Sequence, residues 1–276
     1  MTLTQGATGF DTARRSCCSG AGEPEERPIP IERMSMLSNQ ASVALLGPDA
    51  RLLWFCHPEP DSNALFAEVL GGPRAGVFTI APAHGRMPLG QRYLPGTMTV
   101  RTRWSRLSVT DYLAQDTSTA LAAPTGTAPG RTDLVRVVEG STPVTVEFAP
   151  RPDFGRAPVR IIAEDDGLRV HGADFPLVLR SPGVEWHVGT EDGQDTARAV
   201  LHPVQGEPVV FELRCGADTL NAHPDPEADR REHAEHGWSG WLSQLSLPRT
   251  QQDLVARSAL TLRGLCTPTG GVMAAA

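Results

Sequence analysis

The 276-residue chain has no lysine, so all 25 of its basic residues are arginine. Against 32 acidic residues this leaves a formal net charge of -7, which gives no electrostatic reason to expect nucleic acid or an anionic membrane as partner. Alongside 27 glycines and 24 prolines, the missing lysine reads as GC-rich coding rather than a guanidinium-specific function. Cysteine is scarce and badly placed for crosslinking. Cys17, Cys18, Cys56, Cys215 and Cys266 are odd in number, two are adjacent, and none stands in a CxxC spacing. That excludes a disulfide framework and a zinc cage, and makes a reducing cytoplasm the simpler setting. No apolar run nears the length of a membrane span, and residues 1–28 lack the apolar core of a signal peptide. Their Gly, Pro and charge content predicts a disordered leader.

What is present is strand signal. "SVALLG" and "RLLWFC" flank the turn "GPDA" as a hairpin. "DSNALFAEVLGG" reads as a short helix, capped by Asp61 or Ser62 and ended by Gly71-Gly72. "GVFTIA" returns as a strand. In "TMTVRTRW", Met98, Val100, Thr102 and Trp104 alternate with polar residues, and "RLSVTDYL" pairs with that strand. Further short strands follow beyond an Ala/Pro/Thr/Gly loop at 116–131, from "DLVRVVEG" to "PVVFELRC". Many short strands separated by Gly/Pro turns predict a mainly β chain, a large antiparallel β-sandwich over 29–216.

The character changes after Cys215. Residues 217–249 are charged, then aromatic, and suit a helical linker. From 250 to 276 an amphipathic helix is expected, with Thr250 as cap and Val255, Ala259, Leu262 and Cys266 as its apolar stripe. Few residues invite chemistry. His233 and His236 have the spacing of two metal ligands on one helix face, but with no third ligand in view a solvated charged helix is the more economical reading, and no metal site is assigned. Asp165-Asp166 before Gly167 is hairpin chemistry, and "TPTGG" is too short for a phosphate loop. The one rim of interest follows Trp54. An aromatic face suits sugar C–H groups and carboxylates accept from hydroxyls, so Trp54, Asp61 and Ser62 are substrate-rim candidates; a core Trp54 and a capping Asp61 are the plainer alternative.

Four blocks then resemble, in order, the opening of bacterial family 15 glycoside hydrolases, the glucoamylase and trehalase group. The first runs from Ile31-Glu32 through "SVALLG", Trp54, Cys56, Pro58, Asp61-Ser62, Phe66 and Leu70-Gly71. The second carries Tyr93, Pro95 and Thr97, followed by "VTDYLA". The third carries Leu134-Val135-Arg136, Glu139-Gly140, Arg151, Asp153 and Gly155, and the fourth is "ARSALTLRGLCTPTGGVMAAA". Departures stand at Glu59 and Pro60, where the family has Arg and Phe, and at Phe154, where it has Tyr.

The resemblance covers about 31–276 and implies a trehalase-like N-terminal sandwich, a linker and an (α/α)6 barrel, of which only the first helix fits within the chain. It implies inverting hydrolysis of α-glucosidic bonds with both catalytic carboxylates on the barrel, so no catalytic residue is assigned in this chain and no cofactor is expected. The expected partners are an α-glucoside or trehalose-like sugar and the catalytic barrel, with neither nucleic acid nor membrane. The alternatives are a stand-alone carbohydrate-binding or regulatory sandwich, or a degenerate fragment without activity.

Overall fold

Short runs rich in Val, Ile, Leu and Phe, separated by Gly/Pro turns, form most of the strands, and most of these strands bury one or both faces. A computed structural model describes residues 29–85, 87–114, 131–267 and 270–273. The leader expected over 1–28 lies outside the described residues. The first half supplies β1 (Ser35–Ser38), β2 (Val43–Leu46), β3 (Leu52–Cys56), β4 (Ala64–Phe66), β5 (Val77–Pro82), β6 (Gly90–Tyr93), β7 (Val100–Arg103) and β8 (Leu107–Leu113). The second half supplies β9 (Thr132–Gly140), β10 (Val144–Ala149), β11 (Arg160–Glu164), β12 (Gly167–His171), β13 (Leu177–Arg180), β14 (His187–Glu191), β15 (Gln194–Leu201) and β16 (Val209–Cys215). The helices are α1 (Glu68–Gly71), α2 (Glu227–Leu242) and α3 (Gln252–Gly264).

The strands form three antiparallel sheets. One has eight strands in the order β11-β12-β13-β16-β9-β8-β7-β6, and two have four, β1-β2-β3-β4 and β14-β15-β10-β5. All three turn a face to one core, where Leu37, Leu46 and Phe55 meet Phe78, Ile80 and Phe148, and Val109, Leu134 and Phe211. Phe66, Phe148, Phe78 and Phe211 follow one another in contact at 5.2–6.4 Å between centroids. The chain is therefore mainly β, a sandwich as the strand periodicity leads one to expect.

Inside that core sits a cation. Arg136 on β9 is fully buried; its Nε donates to Asp111 Oδ1 on β8 at 2.7 Å and its Nη1 to the Phe78 carbonyl on β5 at 2.9 Å. Its Nη2 donates to the Ala50 carbonyl in the β2–β3 turn, and the guanidinium lies 4.6 Å from the Phe78 ring centroid. One side chain thus ties all three sheets together. The neighbouring Gly140 has φ +152°, and a Cβ there would be driven into the Arg106 carbonyl, so the glycine of "VVEG" lets β8 and β9 close up.

Helix α2 lies along the outer face of the large sheet. Arg230, Ala234 and Trp238 recur at four-residue steps and are its buried positions. Ala234 packs with Tyr112, Val135 and Val137, while Trp238 meets Met98 and Leu260. Beneath the helix, Glu212 accepts from Arg214 at 2.6 Å and pairs with Arg230 at 3.0 Å and Arg180 at 3.4 Å. Burial raises the Glu212 carboxyl, but the Arg214 hydrogen bond and the Arg230, Arg214 and Arg180 charges outweigh it, holding it below the ordinary carboxylate range.

Helix α3 docks through a different stripe from the one expected. Arg257, Leu260 and Gly264 face the sandwich, whereas Leu262 is 59% exposed. The Arg257 guanidinium stacks 3.6 Å from the Tyr93 ring centroid and donates to the Thr97 carbonyl at 2.8 Å. Ser38 Oγ donates to the Gly264 carbonyl at 2.7 Å, and the missing Cβ of Gly264 leaves room for Met36 and Met98. A cation and a glycine, rather than an aliphatic row, make this contact. The cap also differs: Gln251, not Thr250, stands at the N-cap, in left-handed conformation and with no side-chain capping bond.

The helix expected over 61–72 is overturned in part. Ala64, Leu65 and Phe66 form β4, all three fully buried, with Phe66 opposite Phe55 and Ala64 opposite Cys56. Only Glu68–Gly71 is helical, and Ala67 precedes it without a capping hydrogen bond. The apolar "ALF" triplet gains more from pairing at a sheet edge with both faces covered than from one exposed helical turn.

Candidate functional site

The row Met36, Leu45, Trp54 runs straight across β1, β2 and β3, each residue opposite the next. All three are half-buried, so this outer face of the small sheet is only partly covered. Trp54 is packed with small neighbours, Cys56, Ala64, Ala67 and Ala75. Beyond Cys56 the chain turns outward. Glu59 N–H donates to Ser62 Oγ at 3.1 Å and Ser62 N–H donates to the Glu59 carbonyl at 3.0 Å, so Ser62 closes a tight turn with Asp61 exposed at its tip. Burial and then the Asp61 charge push the Cys56 thiol up to about 12, leaving it protonated and unreactive at neutral pH. The three rim candidates therefore lie at one end of the small sheet, Trp54 on the strand and Asp61 and Ser62 on the turn that follows.

A fourth residue joins them. Phe154 sits 6.2 Å from Trp54 between ring centroids, at an interplanar angle of 48°, and remains 38% exposed. Its backbone is left-handed (φ 57°, ψ 32°), and so is that of Asp153 before it (φ 51°). For residues with a Cβ this conformation costs about 1–2 kcal/mol each. The turn is held by Gly155 N–H to the Arg151 carbonyl at 2.9 Å. Arg151 is pinned in turn: its guanidinium donates to the Asp195 carbonyl at 2.9 Å and to Thr196 Oγ1 at 3.0 Å. The sequence marked Phe154 only as a departure from the family pattern, since nothing in "PDFG" announces a left-handed aromatic.

The buried carboxylates Asp111 and Asp195 belong to the framework. Asp111 lies in the core on Arg136, its carboxyl pushed up by burial against the pull of that cation. Asp195 accepts from Thr190 at 2.5 Å and from the Ile161 N–H at 2.8 Å, which with Arg160 and Arg151 overcome its desolvation and lower its pKa. His233 and His236 stand exposed on α2. Among the described residues, no group of three His, Cys, Asp or Glu side chains could hold a metal ion. An open groove of about 320 Å³ lies at the β12–β13 connection, lined by Arg169, His171, Phe175 and Asp218, and the His57 ring packs against Phe175 at 4.4 Å. The chemistry on offer around Trp54 is that of a binding surface: aromatic faces, exposed carboxylates and a hydroxyl.

The fold defines the class: a mainly β, three-sheet antiparallel sandwich carrying two docked helices. The chain belongs to the family described as "Trehalase-like, N-terminal", which it matches over residues 14–238. It is 28% identical over 283 residues to a trehalase of Mycobacterium tuberculosis (strain ATCC 25618 / H37Rv), covering 92% of this chain and 40% of that protein. A trehalase of Mycolicibacterium smegmatis (strain ATCC 700084 / mc(2)155) is 27% identical over 285 residues, covering 92% of this chain and 41% of that protein. A trehalase of Thermoplasma volcanium (strain ATCC 51530 / DSM 4299 / JCM 9571 / NBRC 15438 / GSS1) is 23% identical over 256 residues, covering 89% and 39%. The chain thus spans about 40% of the length of these relatives. No helix among the described residues is long and apolar enough to cross a membrane.

Proposed function

We propose that this chain is the N-terminal, non-catalytic sandwich of a glycosidase acting on α-glucosidic bonds, a trehalase or glucoamylase of family 15. The observation that carries the reading is the match of 89–92% of the chain to about 40% of three trehalases, on top of family membership. In this reading 29–216 is the sandwich, 217–249 the linker and 250–276 the first helix of an (α/α)6 barrel whose remainder supplies both catalytic carboxylates. Hydrolysis proceeds with inversion: one carboxylic acid protonates the leaving oxygen and a carboxylate roughly 6.5–9.5 Å away activates water on the opposite face. Trp54, Asp61 and Ser62 border the substrate, an α-glucoside such as trehalose. Free thiols at Cys56, Cys215 and Cys266 suit a reducing, cytoplasmic setting.

A second reading, a stand-alone carbohydrate-binding sandwich, is favoured by one observation: α3 folds back on Tyr93, Thr97 and Ser38 instead of standing off. Against it, Leu254 and Leu262 on that helix stay 64% and 59% exposed. Hydrolysis separates the two. A polypeptide extended through the length of the relatives releases glucose from an α-glucoside under the first reading, and does not under the second.

A further inference from the structure

We propose that Phe154 and Trp54 together form an aromatic cradle that packs against the face of one glucosyl ring, with Asp153 and Arg156 as its polar rim. The proposal rests on the reading of this protein as one that meets a sugar, and it adds to that reading a contact residue and a geometry. Three features of the 153–156 turn converge on it. The first is strain: two consecutive non-glycine residues, Asp153 and Phe154, are held left-handed. The turn is over-determined by Gly155 N–H to the Arg151 and Pro152 carbonyls, by Arg156 N–H to the Asp153 carbonyl, and by Gln194 Nε2 to the Gly155 and Ala157 carbonyls. Strain maintained so heavily at a surface is a signature of a site whose geometry matters.

The second feature is what the strain achieves. It presents a large apolar ring 38% exposed beside Trp54, at 6.2 Å and 48°, in place of a ring folded away into the core. Two rings at that angle leave a shallow apolar notch suited to the C–H face of a puckered hexose. The Trp54 ring rests on a floor of small buried side chains, Cys56, Ala64 and Ala67. The third feature is the rim. Arg156 is 75% exposed at its side chain, stands over the Phe154 ring at 5.8 Å and pairs with Asp153 at 3.5 Å. A carboxylate and a guanidinium side by side offer acceptors and paired donors to vicinal hydroxyls, and their charges cancel, which favours a neutral sugar over an anion.

The test uses the 276-residue chain with trehalose and maltose as probes, followed by isothermal titration calorimetry. Wild type is expected to bind in the millimolar range, and Phe154→Ala to weaken binding at least tenfold. Phe154→Gly relieves the left-handed strain, so it is expected to melt at about the wild-type temperature while losing the same affinity, and Phe154→Tyr to retain binding. Absence of binding by wild type, or equal binding by Phe154→Gly, overturns the proposal. So does a Phe154→Gly variant that melts lower but binds sugar as before, since the ring is then a packing element. Hydrolysis by the polypeptide of full relative length keeps the outcomes apart. If it cleaves an α-glucoside and Phe154→Gly leaves KM unchanged, the cradle fails and the glycosidase reading stands; if it cleaves none, that reading itself fails.

Discussion

Replacing Arg136 by methionine removes a cation that touches all three sheets. The side chain is fully buried, as is its partner Asp111, and it makes hydrogen bonds to one carboxylate and two carbonyls. Breaking a buried pair by deleting one member leaves an uncompensated charge and costs about 3–5 kcal/mol. For a chain of this size each kcal/mol lowers the melting temperature by about 2–4 °C, so a drop of roughly 6–20 °C is expected. The cost has a definite pH signature. Burial already raises the Asp111 carboxyl, with Arg136 opposing it. Without Arg136 the folded pKa stands far above the unfolded one, so folding takes up a proton. A group raised in this way contributes its stability below the unfolded pKa and loses it as pH rises. The deficit relative to wild type should therefore shrink on acidification, by up to about 1.4 kcal/mol per pH unit, across the interval between the variant's Asp111 pKa and the lower, already raised one of wild type, and stay constant below it. Paired denaturant titrations of wild type, Arg136→Met and Arg136→Met/Asp111→Asn measure it, with the double variant recovering part of the loss. A deficit under about 1 kcal/mol, or one that does not change with pH, refutes the reasoning.

Acid should attack the α2 interface first. Glu212 is held below its ordinary range by Arg214, Arg230 and Arg180, so its contribution is present above the unfolded value of about 4.3 and is lost as pH falls through the lowered one. Glu212→Gln is expected to be less stable at pH 7 and to converge on wild type below about pH 4, as followed by thermal melts. Thiol mapping offers a simpler check: Cys56 and Cys215 are buried with raised pKa values, so in the native chain iodoacetamide should leave both unmodified and label the half-exposed Cys266. Gly264→Val should loosen α3, because even a Cβ there would sit 3.1 Å from Ser38 Cβ and 3.0 Å from Met36 Cε. An overpacking cost of about 1–3 kcal/mol is expected, read as faster amide exchange across 252–264 with exchange of the core strands unchanged.

How far the sequence reached follows from which physics is local. Period-2 alternation places β7, which buries Val100 and Thr102 between arginines that face outward, while short apolar runs between Gly/Pro turns place β2, β3, β5, β8, β9 and the β11–β12 hairpin. β4 was read as helix because "NALF" has no alternation to betray it, and only the pairing of Phe66 with Phe55 settles its conformation. β15 was passed over although its burial alternates strictly, because the turn chemistry of Asp192-Gly193 dominated the reading of that stretch. The family blocks named Asp111, Arg136 and Tyr93 but could not say why they matter: Arg136 acts through partners 25, 58 and 86 residues away in sequence, and Tyr93 through Arg257. Trp54, Asp61 and Ser62 were legible as residue types in a row. Phe154 was not, because it meets Trp54 only across the fold, from a turn whose left-handed backbone no propensity suggests.

The central claim is that this sandwich serves α-glucoside hydrolysis without performing it. The most direct measurement is release of glucose from trehalose and maltose, with the product anomer read by NMR, by the purified 276-residue chain and by the polypeptide extended to the length of the trehalase relatives. No turnover is expected of the chain alone, whereas the extended polypeptide is expected to release one β-configured and one α-configured glucose from each trehalose, the β anomer marking inversion at the attacked carbon. Turnover by the 276 residues on their own, or none by the extended polypeptide on any α-glucoside, contradicts the claim.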